Sequence, residues 1–257
     1  FRSFDAFLHD WMVVTLKKPV LKGRVMYAEF KRFAADSSLL RMERTRNLLA
    51  NMLEYAKYYA AIKGVAAAGS GDMNVDRRLE SIQKLVSTVT DPLVMDMFAA
   101  WKRDRVSCDG LLRMLADLES YLFRRMICSV SSNGLNKLVP SLIAKLESAE
   151  HDLVETFAAL LLTETAKATR MPTDEQFRQA LLGEDLYRPA PRCKYLLGGL
   201  ENHNHPKDPR SFSEYTVEHI MPQNAMAHAE WRNMLADPDR FPLLVNSLDR
   251  KSTRLNS

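Results

Sequence analysis

The spacing of apolar residues predicts a series of amphipathic helices over roughly the first 200 positions. Near the start, Phe4, Phe7, Leu8, Trp11 and Met12 recur at helical spacing and define one face. Applied along the chain, the same criterion and the helix-start signals predict helices at about 25–33, 39–63, 75–89, 91–101, 109–128, 135–147, 149–169, 172–182 and 192–200, with a loop at 187–191. The predicted buried stripe of the helix at 39–63 is Leu48, Leu49, Met52, Leu53, Ala56, Tyr59 and Ala60.

The pattern changes after residue 200. Residues 202–210 are polar and contain two prolines, which indicates a solvated linker. Residues 213–220 are rich in β-branched and aromatic residues and follow no helical period, so they predict a strand that stops before Pro222. A helix is predicted again at 225–235. The fold class expected is mainly α, with a multi-helix domain at 1–200 and the start of a small α+β unit, truncated, at 201–241.

Both ends of the chain affect this division. The chain begins at Phe1 inside an amphipathic pattern, so we expect a fragment that lacks upstream sequence. Residues 250–257 resemble a translated sequencing-adapter tail. We therefore predict that residues 242–257 are non-native and leave them out of the fold prediction.

The composition restricts the classes of protein that are possible but does not indicate a function. Apolar residues make up 46% and charged residues 26% of the chain, as in ordinary globular proteins. The net charge of +4 permits nucleic-acid binding without demonstrating it. Residues 1–60 hold eleven Lys/Arg against six Asp/Glu, whereas residues 145–185 hold four against nine. The candidate basic surface is therefore N-terminal and consists of Lys17, Lys18, Arg41, Arg44 and Arg46; a solvated helix face is the alternative.

The cysteines and the hydropathy bear on localisation. Cys108, Cys128 and Cys193 are few and far apart, so they predict neither a disulfide framework nor a zinc pair. Reduced, mostly buried thiols are expected. The sequence shows no apolar run of membrane-spanning length and no signal peptide, so we expect a cytoplasmic protein.

Candidate chemistry lies at the end of the predicted strand, in Glu218 and His219. A histidine suits the general base that activates water, because its pKa lies near neutrality. A carboxylate suits a Mg²⁺ ligand, because that ion prefers oxygen. Neighbours in a strand point to opposite faces, so both can serve one phosphate only if the strand ends or twists there. By itself the pair is a weak signal, and a surface histidine of no catalytic role is the favoured interpretation.

Several ordered segments together resemble one family. Residues 215–223 (YTVEHIMPQ) look like the opening HNH motif of GmrSD-type, modification-dependent (type IV) restriction proteins. Residues 118–128, 136–137, 173–177, 186–187, 194–197 and 200–201 are similar to the family's helical region, and residues 7–11 and 25–31 fit it as well. The resemblance covers about residues 4–240.

The resemblance implies a metal-dependent DNA endonuclease of a phage-restriction system, with a C-terminal ββα-metal nuclease domain. It implies that His219 is the general base and that Glu218 serves the metal, Mg²⁺ or possibly Mn²⁺. DNA, possibly modified phage DNA, is the implied partner. The resemblance also implies an N-terminal nucleotide-hydrolysing domain, which we expect to lie outside this sequence, so an NTP is expected only through that domain.

The sequence also departs from the family pattern. A Gly-Asn-Leu segment and a following helix with the last Asn/His ligand do not appear. Asn246 follows His219 at a spacing that suggests a metal ligand, but it lies within residues 242–257, which we predict to be non-native. With one ligand and a base, we expect little or no cleavage by this chain. The alternative function is a non-catalytic helical module for interaction or DNA binding.

Other candidates have simpler interpretations. Arg124 and Arg125 suit phosphate contacts, or equally an arginine bonded to carbonyls or a carboxylate. Residues 202–206 (NHNHP) suggest a metal site, but a solvated linker is favoured. His228 is expected to be exposed and not catalytic. The tryptophans at 11, 101 and 231 are expected to be core anchors.

Overall fold

The protein was analysed as a computed structural model, which describes residues 4–35, 41–65, 69–85, 88–150, 152–183, 186, 190–204, 215–219, 222–234, 239, 241, 245 and 251–255. In these ranges the helices are α1 Phe4–Leu16, α2 Arg24–Ala35, α3 Arg41–Ile62, α4 Met73–Lys84, α5 Asp91–Lys102, α6 Cys108–Ile127, α7 Leu135–Glu147, α8 Leu153–Leu162, α9 Asp174–Gly183, α10 Ala190–Asn204 and α11 Ala229–Met234. Two strands, β1 Tyr215–His219 and β2 Lys251–Leu255, complete the described elements. The predicted fold class, mainly α, is confirmed.

The chain divides into two compact units. The first comprises Phe1–Tyr121 and Ser131–Met171, and the second comprises Leu122–Val130 and Pro172–Ser257. The second unit thus contains α9 and α10 together with β1, α11 and β2. The domain boundaries predicted at residues 200 and 241, and the non-native origin of 242–257, stay predictions.

Helix α5 lies at the centre of the first unit, where α1, α3 and α7 pack against it. Nine of its first ten residues are buried and the tenth, Asp96, is partly buried, because nearly every position between Leu93 and Ala100 is apolar. Trp11 of α1 is 1% exposed, and its indole Nε1 donates to the Asn51 side-chain Oδ1 of α3 at 2.9 Å. A buried tryptophan needs such an acceptor, so this bond fixes α1 against α3.

The predicted buried face of α3 is wrong in part. Leu49 is 59% exposed and Leu53 is 61% exposed, while Met52, Tyr55 and Tyr58 are buried. The Tyr58 ring lies 6.1 Å from the Phe98 ring of α5. The sequence of α3 therefore has two partly apolar faces, and packing on α5 selects the one that contains the tyrosines.

Local side-chain hydrogen bonds set the ends of α8. We predicted a helix at 149–169, but α8 begins at Leu153, because the Asp152 carboxylate caps the amide of Val154 at 2.7 Å. It ends at Leu162, where the Thr163 hydroxyl donates to the Ala159 carbonyl at 2.7 Å. The Glu164 carboxylate then accepts from the amide of Ala166 at 2.9 Å. Such bonds offer the backbone an alternative to the helix.

Helix α4 is also shorter than predicted. The Asp72 carboxylate caps the amides of residues 74 and 75, so the helix begins at Met73 rather than residue 75. It ends at Lys84, whereas we predicted an end at 89. Residues Thr88–Thr90 form a separate 3₁₀ turn that leads into α5.

In the second unit, α9 and α10 pack on the last residues of α6. Ile127, Ala180, Leu186 and Leu196 are buried together, and the Phe123 ring lies between the rings of residues 177 and 195, at 5.7 and 5.4 Å. The predicted loop at 187–191 and linker at 202–210 are wrong in part, because α10 extends over 190–204. Proline in a first helical turn is well tolerated, since the amide it lacks would have had no helical acceptor.

The predicted strand at 213–220 is confirmed as β1. It pairs antiparallel with β2, with Glu218 opposite Ser252 and His219 opposite Lys251. The predicted helix at 225–235 is instead a 3₁₀ turn at Ala225–Ala227 followed by α11. Within the described residues, no helix is both long and apolar enough to cross a membrane.

Candidate functional site

Glu218 lies one residue before the end of β1. Its side chain is exposed, and the Thr216 hydroxyl donates to its carboxylate Oε1 at 3.4 Å. Residues two apart share one face of a strand, so Thr216 and Glu218 form a small polar face. An exposed carboxylate with one weak hydroxyl contact retains most of its capacity to accept a cation.

His219 is the last residue of β1. Whether the strand ends at this point, as the sequence argument requires, stays a prediction, because residues 220 and 221 lie outside the described part of the chain. The structure describes the backbone of His219 but not its side chain, so convergence of its imidazole with the Glu218 carboxylate stays a prediction.

The segment after β1 folds back as a turn. The Ala225 amide donates to the Pro222 carbonyl at 3.0 Å, and the Ala225 side chain is fully buried in a cluster with Val245, Trp231 and Phe241. Its neighbour His228 is exposed, as predicted. A small apolar cluster thus anchors the chain just beyond the candidate site.

The remaining metal ligands are not found in the described part of the chain. There, no three His, Cys, Asp or Glu side chains lie close enough to hold a metal ion. Asn246 and His205 lie outside the described residues, and His203 is an exposed residue of α10 rather than part of a linker. Among the described side chains, Glu218 is the candidate that fits an oxygen-preferring ion.

Arg124 is engaged within the second unit. Its guanidinium lies 2.6 Å from the Asp174 carboxylate, donates to the Pro172 carbonyl at 3.3 Å and stacks on the Phe177 ring at 5.3 Å. Arg125 is only 3% exposed. Arg124 and Arg125 therefore fit the alternative of arginines bonded within the protein rather than arginines that contact phosphate.

Sequence analysis missed Arg192 of α10. Its Nη1 donates to the Ser129 hydroxyl at 3.3 Å, while its buried Nε has no hydrogen-bond partner. No charge pattern around position 192 distinguishes this residue from a surface arginine. What distinguishes it is the burial of its Nε atom, which depends on the fold.

The candidate basic surface at the N-terminus is partly neutralised. Lys17 pairs with Glu147, and the Lys18 ammonium lies 2.5 Å from the Glu29 carboxylate. Arg46 is exposed, whereas the side chains of Arg41 and Arg44 lie outside the described residues. The surface is therefore less basic than the sequence suggested.

Comparison with known proteins adds one finding. Residues 171–248 match the family described as GmrSD restriction endonucleases, C-terminal domain. No curated protein and no solved structure matches the chain. The match begins within one residue of the point where the main segment of the second unit begins, at Pro172, and it includes β1 with Glu218 and His219. Over this segment the chain is similar to the C-terminal domain of the GmrSD restriction endonucleases.

Proposed function

We propose that the second unit belongs to a metal-dependent DNA endonuclease of the HNH type, acting in a phage-restriction system. The observation that supports this most directly is the family match, which includes the strand that bears Glu218 and His219. DNA is the substrate class that fits a restriction endonuclease.

In this proposal the His219 imidazole takes a proton from the attacking water, and the Glu218 carboxylate binds a divalent cation. Mg²⁺ is preferred and Mn²⁺ is an alternative, because both accept carboxylate oxygen. When bound, the cation stabilises charge on the phosphate and on the leaving oxygen. Thr216 orients Glu218 through the hydroxyl contact at 3.4 Å.

A metal-binding measurement tests the role of Glu218. Free Mn²⁺, followed by its solution electron paramagnetic resonance signal, should decrease when the protein is added. Glu218→Gln should reduce this binding by about tenfold, because the amide keeps the shape but loses the charge. The matched control adds His228→Glu to the Glu218→Gln variant. It places a carboxylate at another exposed position after β1 and should not restore Mn²⁺ binding. Undiminished Mn²⁺ binding by Glu218→Gln would contradict the assignment.

Plasmid nicking tests the chemistry. With one identified ligand and one base, we expect weak cleavage at most, in Mn²⁺ and at high protein concentration. His219→Ala should lower that rate by about a hundredfold, as is typical when a general base is removed, and His228→Ala should leave it unchanged. Cleavage that is equal in both variants would exclude His219 as the base.

A further inference from the structure

One face of α3 is both exposed and apolar at its centre. Leu49 is 59% exposed, Leu53 is 61% exposed, and Ala50 between them is also exposed. The opposite side of the helix supplies Met52, Tyr55 and Tyr58 to the core of the first unit. We call the exposed side, made of residues 43, 46, 49, 50, 53, 54 and 57, the outer α3 face.

The charges on the outer α3 face are arranged symmetrically about Ala50. Glu43 lies seven residues before it and Lys57 seven residues after it; Arg46 lies four residues before it and Glu54 four residues after it. Each pair at equal distance from Ala50 therefore combines one acid with one base. Glu43, Arg46 and Lys57 are exposed.

This arrangement is complementary to itself in one orientation. When two identical helices cross antiparallel at the same residue, each position meets the position equally far on the other side of the crossing. Glu43 would then meet Lys57 of a second copy, and Arg46 would meet Glu54, with each contact made twice. In a parallel pair every charge would instead meet its own copy and repel it.

We propose that the outer α3 face binds the same face of a second copy in an antiparallel, two-fold contact. Ala50 at the crossing allows the backbones to approach closely, and Leu49 and Leu53 add exposed apolar surface along one side of it. Glu54 is already oriented, because its carboxylate accepts from the Tyr58 hydroxyl at 2.7 Å and from the Arg103 guanidinium at 3.2 and 3.3 Å. The contact lies in the first unit and is independent of the proposed nuclease chemistry.

Sedimentation equilibrium of the full chain at low salt tests this contact. The average mass should rise with concentration over roughly 1 to 200 µM, the range expected for a small interface. Leu53→Asp should abolish the rise. Lys57→Glu and Glu43→Lys should each weaken association by about tenfold or more, because each places like charges opposite one another.

The double variant Glu43→Lys/Lys57→Glu provides the decisive comparison, because it should restore association to within about threefold of the unmodified chain. Positions 43 and 57 are about 21 Å apart along one helix, well beyond the screening length of about 10 Å. Rescue therefore cannot arise within one copy. Circular dichroism establishes that each variant is folded. A monomer at every concentration, or single variants that weaken association without rescue by the double variant, would overturn the proposal.

Discussion

The two units of the chain bury their side chains to very different extents. In the first unit, the side chains of Trp11, Phe98, Tyr121 and Phe157 are each at most 1% exposed. In the described part of the second unit, two small clusters of buried residues lie on α9 and α10 and beneath α11, and Leu122, Arg125 and Cys193 are buried as well. Because apolar burial is the main favourable term in folding, we infer that stability is concentrated in the first unit. Among the residues that the structure describes, the candidate chemistry lies in the unit with the smaller buried clusters.

The largest expected effect contrasts two phenylalanines. Phe98→Ala in the first unit should lower the free energy of unfolding by about 3 to 5 kcal/mol, since it opens a cavity beside Tyr58 and Trp101. Phe177→Ala in the second unit should cost about 1 to 3 kcal/mol, because its ring is only partly buried. Urea unfolding followed by circular dichroism measures both. Equal losses would remove the contrast between the units.

Helices α5 and α9 each begin with an aspartate that forms an ion pair, and the two pairs differ in burial. Asp91 is the first residue of α5 and pairs with Lys63, with side chains only 9% and 15% exposed. Asp174 is the first residue of α9 and pairs with Arg124, but it is 81% exposed. Asp91→Asn should cost about 3 kcal/mol because it leaves a buried ammonium, whereas Asp174→Asn should cost at most about 1 kcal/mol.

The same urea titrations measure both asparagine variants. The double variant Lys63→Met/Asp91→Asn serves as the control and should recover part of the loss, since neither charge then remains buried. A loss at Asp174 as large as that at Asp91 would contradict the difference in burial on which the prediction rests.

A smaller effect depends on pH and belongs to the first unit. Burial raises the pKa of Asp96 to about 6, against the opposing influence of Arg105, Lys17 and Arg103. Between about pH 4, the value for an unfolded aspartate, and pH 6, the folded state therefore binds more protons than the unfolded state. The free energy of unfolding should fall as pH rises through this window, by about 2 kcal/mol.

Asp96→Asn should remove that fall. The variant should match the unmodified protein near pH 4 and exceed its stability near pH 8 by about 2 kcal/mol. Urea unfolding at the two pH values checks this expectation. A variant that is less stable at pH 8 would show that the Asp96 carboxylate makes a favourable contact that its burial does not reveal.

Local signals in the sequence were sufficient for many elements. Thr173 and Gln176 at the start of α9 exchange reciprocal hydrogen bonds, the Thr173 amide to Gln176 Oε1 at 3.1 Å and the Gln176 amide to Thr173 Oγ1 at 3.2 Å. This capping box depends on residues three apart, so the sequence contains all the information it needs. The strand β1 was predictable for the same reason, from its β-branched residues and the proline that follows.

Features that depend on distant partners were not predictable. The buried face of α3 is the one that packs on α5, some forty residues further along the chain. The spacing of apolar residues within α3 does not predict which of its faces this is. The contact of Arg192 likewise depends on a distant partner, because its guanidinium donates to the Ser129 hydroxyl. Of the candidate site, the sequence indicated Glu218 and His219 and the strand they lie on, but the other ligands of a metal depend on how separate segments meet.

The three tryptophans are distributed unevenly: Trp11 and Trp101 lie in the first unit, and Trp231 lies in the second. Intrinsic fluorescence therefore contains a separate optical signal from each unit. With Trp231→Phe, emission reports the first unit alone, and with Phe at both 11 and 101 it reports the second. Unfolding of the unit that contains the candidate site can in this way be timed independently of the helical unit that precedes it.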